Sequence, residues 1–270
     1  MTKSLNVMAI QMSSVLGKKE ANIKKIEDLI DKNITKETDV IFLPEVWTVG
    51  WACEYFTDSA ESIDNSSVID FLSQIAKKYS VNIVGGSFIT KKDEKLYNTC
   101  PVINRNGELI ATYNKCHLFS YYGDTEGTYI TEGSNPVIVT IEGIRIGLSI
   151  CYDIRFPEIY RAYAKKGVDM MVNMAAWPMT REIHWTSLTH ARAVENQSYF
   201  VALTQSGKLA DGSLNLGKST IIDYKGEDMS KITEGEGAIS AILNFEEEYA
   251  FRKKCTVLKD IHSSYEVKEK

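Results

Sequence analysis

The sequence predicts an α/β fold with mixed rather than purely parallel sheets, on three observations. Strand-like and helix-like segments alternate along much of the chain, the order that builds parallel strand pairs. Hairpin signals interrupt that order and add antiparallel pairs. With 270 residues, 44% of them hydrophobic, the chain can bury one large core. No repeat or Pro/Ser-rich linker divides it, so a single domain over residues 1–270 is expected.

Each element has its own signal. SLNVMAIQM alternates as a first strand, and Ile23, Ile26, Leu29 and Ile30 then recur at helical spacing. TDVIFLPE reads as a short buried strand stopped by Pro44, with Glu45 just past its end. Val68, Leu72, Ile75 and Ala76 mark a second helix, and VNIVGGSFI the strand after it. LYNTCPVI and ELIATYNK flank Asn106-Gly107, where both positions tolerate positive φ and predict a two-residue hairpin. PVIVTI and IRIGLSI form another hairpin around Glu142-Gly143. In PEIYRAYAKKG, proline opens a helix and Gly167 stands where its C-cap belongs. DMMVNMA is a strand, EIHWTSLTHARAVENQ a helix and YFVALTQS a strand; STIIDYKG and GAISAILNF close the sheets. The polar residues from about Ser263 are expected to fray.

Composition excludes several function classes. A net charge of −5 without a Lys/Arg-rich block argues against a nucleic-acid partner. No segment approaches the roughly eighteen apolar residues of a membrane span, and Asn6 and Gln11 break any signal-like run. Cys53, Cys100, Cys116, Cys151 and Cys255 are scattered, odd in number and without a C-x-x-C pair. That supports neither a zinc site nor a disulfide framework, and a reducing cytoplasm is the expected setting.

Three polar residues stand where apolar strands end: Glu45 in FLPEVW, Lys115 in YNKCHLF and Cys151 in SICYD. Loops at such ends open a crevice above a rigid base. Together the three make chemical sense. A free thiol is only slightly ionised at neutral pH; a carboxylate can take its proton, and an ammonium can stabilise the thiolate and a later oxyanion. The helix beginning near Pro157 adds a favourable field if it points at the sulfur. Singly, each residue has a bland alternative: a core cysteine, a turn glutamate and a solvated lysine.

The words around these residues, LPEVW, YNKCHLF and CYDIRFPE, resemble the nitrilase superfamily, the carbon–nitrogen hydrolases. The likeness continues through NMAAWP, HWTSLTHARAVENQSYFVALTQSG, GKSTIIDYKG and FRKK, over nearly the whole chain. The resemblance implies a four-layer α-β-β-α sandwich with a Glu45-Lys115-Cys151 triad and no metal or organic cofactor. It also implies a homodimer or larger assembly formed through helices that include PEIYRAYAKKG. The implied chemistry is acyl transfer through a Cys151 thioester, with Glu45 as base and Lys115 and the Tyr152 N–H facing the oxyanion. A second carboxylate between lysine and nucleophile, followed by glycine seven residues on, is a further family feature. Glu126 with Gly133 fits that spacing, beside Asp124 and Glu132 in the same loop.

CYDIRFPE followed by HW and ARAVENQ is most similar to the ω-amidase and deaminated-glutathione amidase branches. That implies hydrolysis of a small amide, an ω-amide of a small carboxylic acid, to acid and ammonia. N-carbamoyl amides and nitriles are the alternatives within the superfamily. A non-catalytic metabolite-binding protein on the same scaffold is the alternative of another class, and the intact triad speaks against it. AAWPMTRE departs from the loop of a typical ω-amidase, and the departure bears on the acyl group accepted. In that loop Trp177 is expected as a pocket wall and Arg181 as a partner for a substrate carboxylate. Cys116 is read as packing. His117, His184 and His190 are read as structural, against a Cys-His alternative. Asp153 and Arg155 are expected to brace the nucleophile's turn as an ion pair.

Overall fold

A computed structural model describes residues 3–120, 126–262, 264 and 266–269. Ser263, where the polar tail is expected to begin, lies outside them. The first sheet starts with three parallel strands, β1 (Ser4–Gln11), β2 (Val40–Phe42) and β3 (Asn82–Val84). Helices make the two returns: α1 (Lys19–Asn33), then the short α2 (Phe56–Ser59) and α3 (Ser67–Tyr79). Strands β4 (Phe88–Lys92), β5 (Lys95–Ile103) and β6 (Leu109–Asn114) extend the sheet antiparallel.

The second sheet opens with the hairpin β7 (Ile138–Ile141) and β8 (Ile144–Ile150). Helix α4 (Pro157–Lys165) leads to β9 (Met170–Ala175), and α5 (Glu182–Asn196) to β10 (Tyr199–Thr204); β8, β9 and β10 are parallel. Antiparallel β11 (Thr220–Ile222) and β12 (Asp228–Lys231) finish it. The chain then returns as β13 (Gly237–Asn244), antiparallel to β1, and continues as α6 (Phe245–Lys254). Strand orders are β13-β1-β2-β3-β5-β4, with β6 on β5, and β12-β11-β10-β9-β8-β7.

Period-two alternation explains the layering. On β1, Leu5, Val7 and Ala9 face a core shared with Ile146, Leu148 and Ile150 of β8, while Met8 and Ile10 face Ile26 and Ile30 of α1 and Leu72 and Ile75 of α3. Tyr160 and Tyr163 of α4 and Trp185 and Ala193 of α5 cover the second sheet. The result is the expected α-β-β-α sandwich of two mixed sheets.

Three local readings change. VNIVGGSFI is two strands, because Gly85-Gly86 turns the chain out of β3. Gly86 has φ +63°, and a Cβ there would stand 2.1 Å from the Pro44 carbonyl. Glu142-Gly143 is an I′-like pair with positive φ at both positions, +50° and +76°, as is Asp93-Glu94 between β4 and β5, whereas at the hairpin through Asn106-Gly107 only Gly107 is positive. There the Gly107 N–H donates to Asn104 O and the turn is longer than two residues. Strand β12 and helix α6 are additional elements.

Candidate active site

Glu45, Lys115 and Cys151 each follow a strand, β2, β6 and β8. The backbone at two of these ends is left-handed: Val46 has φ +44° and Cys151 φ +45°. A β-branched residue there is a genuine outlier, and such strain gathers at functional sites. Ser87 Oγ holds Val46 by accepting its N–H at 3.0 Å.

The three charged side chains form one buried cluster with no exposed surface. Lys115 Nζ donates to Glu45 Oε1 at 3.1 Å and to both Glu126 oxygens at 3.0 and 2.9 Å. It also lies 5.0 Å from the centroid of the Trp51 ring, a cation–π contact. Asn98 Nδ2 donates to Glu45 Oε1 at 2.9 Å, and the Ala176 N–H to Oε2 at 2.7 Å. The Phe119 N–H donates to Glu126 Oε2 at 2.6 Å. Every carboxylate oxygen thus has a donor, which a buried charge requires. Gly133 explains its spacing: its N–H donates to Lys115 O at 2.7 Å, and a Cβ there would meet Asn114 O at 2.2 Å. Glu132 is exposed, and Asp124 lies outside the described residues.

The electrostatics follow from this packing. Burial alone would lower the Lys115 ammonium, but the charges of Glu126 and then Glu45 reverse that and hold it above the ordinary lysine value. Burial pushes Glu126 up, the Glu45 charge adds to this, and Lys115 opposes it. Burial also pushes the Cys151 thiol well above its ordinary value, reinforced by the Glu45 charge and opposed by Lys115. At rest, then, the sulfur carries its proton.

A cavity of about 560 Å³ opens over Cys151. Of the four residues it exposes only the cysteine; Trp51, Phe119, Tyr152, Trp177, Arg155 and Arg181 are among its walls. Tyr152 is the second residue of a 3₁₀ turn over Cys151–Arg155, where a backbone N–H has no partner within its own helix. Trp177 packs on Trp185 at 5.3 Å, and its Nε1 donates to Arg181 O at 2.9 Å. The guanidinium of Arg181 lies 5.2 Å from the Phe119 ring, and that of Arg155 5.1 Å from Trp177.

Cys116 packs against the core. His117 meets Asp153, His184 Nδ1 lies 3.2 Å from Arg155 Nη2, and His190 Nε2 lies 3.0 Å from Asp228. The Asp153–Arg155 brace is corrected. Both Asp153 oxygens are taken by Tyr113, His117 and the Ile150 N–H, because the carboxylate points inward while Arg155 reaches the cavity. Sequence reasoning missed Asn98 and Trp51. Asn98 carried one signal, a polar residue inside the apolar word LYNTCPVI. Among the described residues no group of three His, Cys, Asp or Glu could hold a metal, and no helix is long and apolar enough to cross a membrane.

Comparison with known proteins agrees with this architecture. A 2-oxoglutaramate amidase of Bacillus subtilis is 35% identical over 94% of this chain and 96% of its own. A protein of Staphylococcus aureus described as a hydrolase in the agr operon is 32% identical over 95% and 98%. Among solved structures, Nit3 of Saccharomyces cerevisiae, a member of branch 10 of the nitrilase superfamily, matches with TM-score 0.84 and 29% identity over 93% of this chain and 94% of its own. A Xanthomonas campestris protein of the CN-hydrolase superfamily, with an arsenic adduct in its active site, matches with TM-score 0.90 and 25% identity over 98% of this chain and 100% of its own. The carbon-nitrogen hydrolase profile itself aligns with residues 6–253, and the chain belongs to that family.

Proposed function

We propose that this protein hydrolyses a small amide, an ω-amide of a small carboxylic acid, to the acid and ammonia through a thioester on Cys151. One observation carries the reading. The Cys151 sulfur opens to the cavity, backed by a sealed carboxylate–ammonium–carboxylate cluster.

In the first half, the Cys151 thiol gives its proton to Glu45 as sulfur bonds to the amide carbon. The carbonyl electron pair moves to oxygen, which Lys115 and the Tyr152 N–H face. A single such donor contributes about 3 kcal/mol to the transition state. The intermediate collapses, the C–N bond breaks, and ammonia leaves with the proton from Glu45. In the second half, Glu45 takes a proton from water as its oxygen attacks the thioester. Collapse breaks the C–S bond, releases the acid and returns the proton to sulfur. Glu126 keeps Lys115 charged and aimed. Trp177 limits the acyl group, and Arg181, with Arg155 beside it on the cavity wall, takes the distal carboxylate.

The names of the 2-oxoglutaramate amidase and of a 33%-identical chloroplastic ω-amidase of Arabidopsis thaliana support the substrate class. The pairing of β1 with β13 supports a single domain over residues 1–270. Five free thiols support a reducing, cytoplasmic setting. Exposed Ile183 and Val194 on α5, next to α4, support a homodimer or larger assembly through those helices.

Ammonia release from a panel of ω-amides, simple amides, N-carbamoyl amino acids and nitriles tests the reading. The ω-amides should be the best substrates, and a mass increase equal to the acyl group should appear on Cys151. Cys151→Ala should keep the fold and abolish turnover. Preference for the N-carbamoyl or nitrile arm would overturn the substrate class, and turnover by Cys151→Ala would overturn the mechanism.

A further inference from the structure

Asp153 is buried two residues beyond the nucleophile, and four donors converge on it. The Tyr113 hydroxyl donates to Oδ2 at 2.6 Å and the Ile150 N–H to the same oxygen at 2.9 Å. The His117 N–H donates to Oδ1 at 2.9 Å, and His117 Nδ1 lies 2.8 Å from it. Tyr113 and His117 stand two residues before and two after Lys115. The carboxylate on the sulfur's own turn therefore clamps both flanks of the lysine. Two further contacts stiffen the clamp. The His117 ring stacks on Phe156, at 3.8 Å and 10° between planes, and the Tyr113 hydroxyl accepts the Cys116 N–H at 3.3 Å.

We infer that Asp153 is a positioning residue that fixes the Lys115 ammonium relative to the Cys151 sulfur, by tying the nucleophile's turn to both sides of the lysine. The lysine stem is long and flexible, and its head must face two carboxylates and the sulfur at once. A displacement of about 1 Å in such a constellation can cost on the order of 100-fold in rate. The Ile150 bond serves only the turn itself, whereas the Tyr113 and His117 bonds join the two sheets. The sheet-joining bonds are the ones the inference concerns. It rests on the reading of Lys115 and Cys151 as catalytic.

The test uses Tyr113→Phe, which removes one sheet-joining bond and leaves the turn's own bond intact, together with Asp153→Asn. Losing one hydroxyl–carboxylate bond should lower kcat about tenfold, with KM little changed, and Asp153→Asn should lower it further. The double variant should be no worse than Asp153→Asn alone, as expected for groups acting through one contact. Alkylation of Cys151 by iodoacetamide at fixed pH separates positioning from packing. Losing the aimed ammonium slows it, because less thiolate forms, whereas simple loosening exposes the sulfur and speeds it. Slower alkylation with reduced kcat supports the inference. Wild-type kcat in Tyr113→Phe, or faster alkylation, overturns it, and Tyr113→Phe decides alone if Asp153→Asn does not fold. Failure of the underlying reaction shows elsewhere, as no ammonia release from the unmodified enzyme.

Discussion

Replacing Glu126 by glutamine asks whether the second carboxylate does chemistry or merely fills space. The substitution keeps shape and removes one charge. Glu126 now accepts two contacts from Lys115 and one from the Phe119 N–H, the latter sharing Oε2 with one of the lysine contacts; an amide has a single acceptor oxygen, so at best two of the three contacts survive and an N–H₂ donor takes the place of the other oxygen. A hydrogen bond to a charged group is worth about 1.5–3 kcal/mol. If that interaction is expressed in the transition state, kcat/KM falls roughly 10- to 100-fold. Stability should change little, and the sign can be worked out. Burial first, and the Glu45 charge second, hold the Glu126 carboxyl above its ordinary value of 4.5. A carboxyl raised by folding binds its proton more tightly in the folded state, so stability falls as pH rises from 4.5 through the folded value. Glutamine removes that cost at neutral pH and offsets the lost bonds. The assay is ammonia release across pH beside thermal unfolding. The wild-type rate should fall in acid as Glu126 protonates, and that limb should vanish in Glu126→Gln. Wild-type kcat/KM in the variant would refute the role, and a collapsed Tm with unchanged kcat per folded molecule would make the residue structural.

Three other outcomes are expected. Ultraviolet thiolate absorbance, taken as the difference between wild type and Cys151→Ala, should stay flat up to and beyond the ordinary thiol value of 9.0, because burial and the Glu45 charge keep the proton on sulfur; a step near neutral pH would mean a resting thiolate–ammonium pair. Arg181→Leu should raise KM about tenfold for an ω-amide bearing a carboxylate, the worth of one charge-assisted contact, and leave KM for an uncharged amide unchanged; equal effects on both would remove Arg181 from carboxylate binding. Gly133→Ala forces a Cβ against Asn114 O and should cost about 1–3 kcal/mol of stability, seen as a Tm several degrees lower, with reduced kcat because the same turn anchors Lys115; an unchanged Tm would show that the loop yields freely.

The fold was legible where period and punctuation agree. Ile23, Ile26 and Ile30 place α1, and DMMVNMA places β9, because burial on one or both faces leaves a direct imprint on residue type. The break at Gly85-Gly86 was hidden inside an apolar run, since continuous hydrophobicity does not say where a strand turns. Helix α6 has weak apolar periodicity, and its signals are terminal instead. Asn244 caps it by accepting the Glu246 and Glu247 N–H groups, three glutamates fill its first turn, and Arg252, Lys253 and Lys254 its last. Glu45, Lys115 and Cys151 were found through the words around them, and Glu126 through a glycine whose purpose is a close approach to Asn114. The partners of Asp153 were not readable. They stand 36 and 40 residues away in the chain, and only the stacking of two sheets brings them near.

That stacking has a consequence for the chain before it is fully folded. Glu45 and Lys115 hang from one sheet, Cys151 and Ala176 from the other, and the Ala176 N–H bond to Glu45 crosses between them. Either sheet formed by itself therefore lacks one half of the proposed machinery. As the two halves part, the buried Cys151 thiol becomes accessible and loses the carboxylate beside it, so labelling by a thiol probe should rise as ammonia release falls, and the crossing of the two signals times the closure of the sandwich.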